Sequence, residues 1–312
     1  MDMNWDDLRL FLAVARAETL SGASKTTRLD AATLGRRVAR LERDLNAALF
    51  VKTPQGYALT EPGQQLLRSA EAAETAMRTA AEGIAANRGA DGAEGPSAAL
   101  AGQVRIGAPD GCANYLLPQV CARITEAHPA LDIQIVALPR VVNLSRREAD
   151  FAIGVSAPSG GRLTVQRITD YSLHFAASSE YLATAAPLDT LADLRNHRIV
   201  GYIPDMIFDQ ELDYLANAGV TRVALASNSV AVQLNLLRQS GGVGVVHDFA
   251  LAHVPGMRRV LEHVFSIQRS FYLIRHASDQ GHGRLERIAR LLVQGLKAEV
   301  GLLEAAIMEN MK

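Results

Sequence analysis

Residues 30–45 read Asp-Ala-Ala-Thr-Leu-Gly-Arg-Arg-Val-Ala-Arg-Leu-Glu-Arg-Asp-Leu, and the reading of this stretch decides the fold of the N-terminal part. Asp30 reads as an N-cap, and the pattern behind it predicts a helix over 31–45. Leu34, Val38, Leu41 and Leu45 recur at three- and four-residue spacing and make the inward stripe. Arg36, Arg37, Arg40 and Arg43 fall mostly off it. Upstream, Leu8, Phe11, Leu12 and Ala15 share one face of a helix predicted over 5–17, and a short second helix is expected over 20–28. Downstream, residues 49–52 (Leu-Phe-Val-Lys) and 57–59 (Tyr-Ala-Leu) flank a Thr-Pro-Gln-Gly turn, the pattern of a β-hairpin wing.

Charge sharpens that reading. Between Lys25 and Lys52, seven basic residues stand against three acidic ones, a local balance of +4 in a chain whose net charge is −1. Duplex DNA attracts such a patch through phosphate neutralisation and counterion release. A helix of this size fits the major groove with its N-terminal residues at the base edges. Residues 1–62 therefore read as a winged helix-turn-helix.

After Thr60, a plausible N-cap, a helix runs to about residue 87. Leu66, Ala70, Ala73, Met77, Ala80 and Ile84 alternate spacings of four and three. Residues 63–88 are read as a coiled-coil helix pairing two copies, with one long helix lying on its own domain as the alternative. Residues 89–102, rich in Gly, Ala, Pro and Ser, form a flexible hinge by composition. The remainder alternates short apolar strands with longer helical patterns, which suggests α/β. The 312 residues suffice for two to three domains, and 48% apolar with 21% charged residues is ordinary for a globular protein. Two cysteines make no disulfide framework. With no signal peptide visible and no apolar run of bilayer length, the cytoplasm is the expected location and no membrane partner is expected.

The stretches Leu8-Arg-Leu-Phe-Leu-Ala-Val-Ala15, Thr19-Leu-Ser-Gly-Ala-Ser24, Arg36-Arg-Val-Ala-Arg-Leu-Glu-Arg-Asp-Leu45, Leu49-Phe50 and Gly56-Tyr-Ala-Leu-Thr-Glu-Pro-Gly63 resemble, in order and spacing, the LysR-type transcriptional regulators. The resemblance implies that Ala31, Ala32 and Thr33 open a recognition helix. It places Arg36, Arg37 and Arg40 toward bases or phosphates, and Lys52 and Thr53 on the wing. Lys52 stands where the family carries arginine, a point charge in place of a fork. Ala31, Ala32 and Gly35 replace the family's frequent Gln, Pro and Ser, so base readout leans on Thr33, the arginines and methyl contacts.

Beyond the hinge the resemblance is looser. Strands are expected over 103–108, 132–137 and 149–155, with a helix over 114–126. These features look like the family's effector domain, a two-lobed α/β fold like the periplasmic binding proteins. The first lobe would comprise 103–168 and 270–312. The second, 169–269, would hold strands at 173–177, 199–202, 223–227 and 244–247. In open α/β sheets ligands sit beyond the carboxyl ends of strands, at helix N-termini. The implied effector-binding residues are Asp110, Gly111, Cys112, Arg140, Val141, Tyr202, Ile203, Asn228, Ser229 and His247. Arg140 either pairs with an effector carboxylate or is an ordinary loop arginine. Asp110 would repel an anionic ligand unless it points away or pairs with a cation, which moves the reading toward a neutral or amino-bearing effector.

The function so implied is operator binding to double-stranded DNA by a homodimer or homotetramer, controlled by a small-molecule metabolite. The alternatives are a cytoplasmic solute-binding protein with an incidental basic N-terminus, and an enzyme. The first leaves the wing and the seam unexplained; the second has no catalytic constellation. No metal-ligand spacing, nucleophile elbow or phosphate-binding glycine loop occurs, so no cofactor and no metal is expected. Cys112 and Cys121, if on one helix, would lie roughly 13 Å apart, against the about 4.4–6.8 Å a disulfide needs. At the C-terminus, Ile288, Leu292, Leu296, Val300, Leu303 and Ile307 continue an apolar stripe beyond the family's usual end. It reads either as a tail packing on its own lobe or as an extra oligomer contact.

Overall fold

Asn4, Thr19 and Asp30 each cap a helix through the side chain, accepting from Asp6 N, Gly22 N and Thr33 N. They open α1 (Trp5–Ala17), α2 (Leu20–Thr27) and α3 (Ala31–Leu45). Strands β1 (Phe50–Thr53) and β2 (Gly56–Leu59) pair antiparallel, with Thr53 opposite Gly56. Helix α4 follows over 61–71, capped by Thr60, whose hydroxyl oxygen accepts from Gly63 N at 3.1 Å. Leu8, Phe11, Leu12, Leu41 and Leu49 bury one side of this tri-helical unit, and Leu10, Val14, Leu34 and Val38 the other. The period read from the sequence is the period that packs.

The computed structural model describes residues 4–54, 56–71, 73–74, 77, 99–137, 149–158, 162–279 and 283–309. The chain forms two compact units, Met1–Ala98 and Ala99–Lys312.

The second unit contains β3 (Ala101–Ala108), α5 (Asp110–Tyr115), α6 (Leu117–Ala127), β4 (Ala130–Ala137), β5 (Phe151–Gly154), β6 (Leu163–Ser178), α7 (Ser179–Thr184), β7 (Ile199–Gly201), β8 (Leu225–Ala226), α8 (Val230–Arg238), β9 (Val243–His247), α9 (Asp248–Leu251), β10 (Met257–Val260), β11 (Ile267–His276) and α10 (Gly283–Glu309). The sheet order is β4-β3-β5-β11-β6-β9-β7-β8, with β10 on β6. β3 runs parallel to β4 and β5, and β7 parallel to β8 and β9. β6 and β11 run antiparallel through the middle. Sixteen-residue β6 pairs with β11 along its first part and with β9 and β10 along its last, so one strand joins the two sides of the sheet.

Several details differ from the sequence reading. The helix expected over 114–126 is two helices broken at Leu116. Pro118 lies in the first turn of α6, where its missing N–H is harmless, but it would interrupt a helix continuing from α5. The strand expected over 223–227 keeps only Leu225 and Ala226. The C-terminal stripe packs on its own unit: Leu285, Ile288, Leu292, Leu296 and Val300 are buried in the main core, with Leu303 and Ile307 against it. Glu304 accepts the Ser172 N–H at 2.7 Å, tying the extension of α10 to β6.

Candidate functional site

The first candidate surface is the outward side of α3 and the wing. The wing is anchored from behind. Gly56 has φ +140°, a Cβ there would lie 2.2 Å from the Glu18 carbonyl oxygen, and Tyr57 N–H donates to that same oxygen at 2.7 Å. Only glycine allows both the conformation and the approach. Glu42 ties α3 to β1 by accepting from Leu49 N at 2.7 Å and Phe50 N at 3.1 Å. Between α3 and the hairpin lies a groove of about 430 Å³ edged by Ala32, Gly35, Arg36, Ala39, Lys52 and Tyr57.

Arg36 and Lys52 are exposed on this groove, and neither has a carboxylate partner among the described residues. Ala32 is exposed, and Ala31 and Thr53 are half-buried. Thr33 is already engaged: its hydroxyl donates to Asp30 at 2.7 Å and accepts from Arg36 at 3.1 Å. The Thr33 N–H first and its hydroxyl second hold the Asp30 carboxyl below its usual range. The turn is thus pre-ordered, and the arginine leans over the helix start.

Arg37 and Arg40 require a correction. Both were expected to face DNA, and both turn onto α1. Arg37 donates to Asp7 and, at 2.8 Å, to Asp6; Arg40 Nε donates to Asp7 at 2.7 Å. The cause is Asp7, a wholly buried carboxylate in the first turn of α1. A buried charge must be paired and hydrogen-bonded. Arg9 first and then Arg37 hold the Asp6 carboxyl below its usual range. This acidic pair and Arg9, which also holds Asp6, lie outside the 25–52 window; counting all three lowers the +4 read there to +3.

The predicted pairing seam is also used differently along its length. Leu66 packs on the unit's own core and Ala70 is completely buried in it, so these two are corrected to intramolecular contacts. Gly63 lets α4 sit this close: a Cβ there would be 2.1 Å from the Leu49 carbonyl oxygen. Ala73 is half-buried, and Met77 is 53% exposed. Glu74 pairs with Arg16 at 2.6 Å. Ala80 and Ile84 lie outside the described residues.

The second candidate site lies where the loop after β3 meets the loops after β7, β8 and β9. Asp110 opens α5 and reaches α8. Its Oδ2 accepts from the Ser229 hydroxyl at 3.0 Å and the Ala231 N–H at 3.1 Å. Ser229 is itself the N-cap of α8. Gly111 abuts His247, whose ring a Cβ at that glycine would meet at 3.4 Å. Tyr202 and Ile203 are half-buried beside this junction, as is Asn228. Asp110, Gly111, Tyr202, Ser229 and His247 therefore converge. Cys112 is buried in the apolar core directly behind them, close enough to act on Tyr171, and the helix starts at Asp110 and not, as expected, at Asn114. Burial raises both the Cys112 thiol and, to about 11, the Cys121 thiol, the reverse of what a reactive cysteine needs. Arg140 and Val141 lie outside the described residues.

Two residues that sequence reasoning missed complete the junction. Tyr171 of β6 stacks on Phe271 at 4.1 Å between ring centroids and on His247 at 5.5 Å. The Tyr214 hydroxyl meets His247 Nε2 at 3.3 Å. Burial pushes His247 down to about 4, against only a small opposing pull from Asp248, so its ring is neutral. The Tyr171 hydroxyl is buried beside the Tyr214 hydroxyl, and His247 Nδ1 is buried without a hydrogen-bond partner among the described residues. Next to them, Tyr202, Tyr214 and Gln233 line a cavity of about 280 Å³ with an otherwise mostly apolar wall. Tyr214 lies in a stretch of short 3₁₀ turns with no periodicity, so no sequence signal marks it. Tyr171 lies two residues before the strand read from the sequence at 173–177, and that strand's true length hid it.

The description of bacterial regulatory helix-turn-helix proteins of the lysR family matches residues 5–64, and that of the LysR substrate binding domain matches residues 97–297. The chain is similar to the Mau operon transcriptional activator of Paracoccus denitrificans, with 27% identity over 292 residues that cover 92% of this chain and 93% of that one. Its fold is similar to full-length OxyR from Pseudomonas aeruginosa, with a TM-score of 0.63 and 18% identity over 95% of this chain and 98% of that one. It is similar as well to full-length LysG from Corynebacterium glutamicum with bound effector Arg, with a TM-score of 0.61 and 17% identity over 94% and 98% of the two chains.

Proposed function

This chain belongs to the LysR family of bacterial transcriptional regulators, and from that premise we propose that it binds operator DNA as a homodimer or homotetramer under the control of a small-molecule effector. It is a DNA-binding regulator and not an enzyme. The observation that carries the DNA half is the pair Arg36 and Lys52, exposed across one groove with their charges uncompensated, while the neighbouring Arg37 and Arg40 are tied inward. In this reading α3 enters the major groove, Ala31, Ala32, Thr33 and Arg36 approach base edges, and Lys52 and Thr53 approach phosphates.

The effector would bind where Asp110, Tyr202, Ile203, Asn228, Ser229 and His247 meet, with Arg140 and Val141 as further candidates. Residues 103–168 and 270–312 would move as one lobe and 169–269 as the other. The helix over 63–88 would pair two copies through its later positions, Ala73, Met77, Ala80 and Ile84, and 89–102 would act as hinge. LysG, solved with Arg bound, supports an effector of metabolite size. No described helix is long and apolar enough to cross a membrane, and we place the protein in the cytoplasm.

The test is fluorescence anisotropy of the labelled upstream intergenic DNA with the purified full chain, repeated with each metabolite that raises its melting temperature. Saturable DNA binding that a metabolite shifts by about 5–150-fold, the usual range of allosteric coupling, supports the reading. No DNA binding at low salt removes the operator half. DNA binding that no stabilising metabolite shifts removes the effector half.

A further inference from the structure

An effector carboxylate entering this kind of cleft would look for the N-terminus of a helix, where unpaired N–H groups and the positive dipole end await an anion. In this chain that position is already filled. α8 is nine residues long, and its first turn presents the Ser229 hydroxyl and the Ala231 N–H. Both donate to the same oxygen of Asp110, across 119 and 121 residues of sequence. The other Asp110 oxygen accepts from Asn114 Nδ2 at 3.0 Å. All three donors are neutral, and among the described residues no lysine or arginine pairs with Asp110. No cation among the described residues therefore offsets this carboxylate directly.

Its surroundings match that charge. Tyr115 and Tyr202 have hydroxyls raised above their ordinary range by burial first and by Asp110 second. Behind them stand the Tyr171 hydroxyl, which interacts with the Tyr214 hydroxyl, and His247 Nδ1, which has no hydrogen-bond partner among the described residues, both in side chains more than nine-tenths buried. The nearby charges are paired elsewhere: Arg269, which acts on Tyr171 and Tyr214, is held by Glu211 at 2.7 Å, and Asp248, which acts on His247, is held by Arg259 at 2.9 Å, whereas Asp110 is held by neutral donors alone among the described residues.

We propose that Asp110 is the resident anion of this cleft and the residue that sets its ligand class: it occupies the carboxylate position at the start of α8, so the cleft selects a protonated amine or a neutral hydrogen-bond donor over an anion. The proposal rests on the reading of this cleft as the effector site, and it also says how such a ligand acts. A headgroup that takes hold of Asp110 competes with the Ser229 and Ala231 donors, which form one of the links between the β3 side and the β9 side of the sheet.

The test is calorimetric titration of the full-length protein, without DNA and at constant ionic strength, with ethylammonium chloride and separately with sodium acetate. The parent protein binds ethylammonium at least tenfold more tightly than acetate. In Asp110→Ala the preference inverts, because the first turn of α8 is vacated and the charge is gone. In Asp110→Asn, which keeps the shape and decides the matter if the alanine variant fails to fold, the preference falls at least fivefold. A parent that binds acetate as tightly as ethylammonium overturns the proposal, as does a preference unchanged in the folded variants, and so does a set of proteins none of which binds either probe. Because the readout involves no DNA, failure of effector–DNA coupling is a separate outcome that leaves the selectivity result standing.

Discussion

The Arg37 guanidinium of α3 donates to the Asp7 carboxylate of α1, and Arg40 holds the same carboxylate from one turn further on. Asp7 is wholly buried, so this is a structural clamp between two helices. Removing one partner from a buried charge leaves a desolvation cost that nothing offsets. Because Arg40 remains, Arg37→Ala is expected to destabilise the N-terminal unit by roughly 1–3 kcal/mol. Chemical denaturation followed by the single Trp5 reads this. Unchanged stability with weakened DNA binding would return Arg37 to the interface.

The wing depends on Gly56. Its φ of +140° and the 2.2 Å approach of a built Cβ to the Glu18 oxygen leave no room for a side chain. Gly56→Ala is expected to cost roughly 1–3 kcal/mol, the usual range for enforced backbone strain. It should also weaken DNA binding, since Lys52 sits opposite Tyr57 in the same hairpin. Parallel melting and DNA-binding curves check both; an unaffected variant would mean that the turn carries no functional constraint.

His247 makes stability depend on pH. Its pKa falls from 6.5 to about 4 on folding because burial disfavours the charged ring. Between those values the unfolded chain binds more protons, so the contribution is complete above pH 6.5 and is lost as pH falls toward 4, at about 1.4 kcal/mol per unit. His247→Gln, which cannot titrate, should flatten the melting temperature against pH over that window. An identical slope in both proteins would show that His247 accepts its proton in the folded state.

The N-terminal unit was legible because its information is local. The caps at Asn4, Thr19 and Asp30 and the period of Leu34, Val38 and Leu41 lie within a turn or two of what they determine. The direction of Arg37 and Arg40 was not legible: positions off the apolar stripe fall on either flank, and the acid that chooses between flanks lies about thirty residues upstream. The burial of Cys112 was not legible, because the helix boundary was four residues out. Asp110 was legible as an acid in the right loop, but its partner Ser229 is 119 residues away, and only the folded sheet brings them together.

The most direct test of the central claim is the salt dependence of binding between the full chain and its own upstream intergenic DNA. Each phosphate neutralised contributes about −0.9 to the slope of log K against log salt. The parent protein should show a steep negative slope, and Arg36→Ala and Lys52→Ala should each weaken binding and reduce the slope by about one, without change in melting temperature. Absence of binding at low salt, or slopes for both variants equal to that of the parent, would contradict a DNA-binding unit that works through the outward face of α3 and its wing.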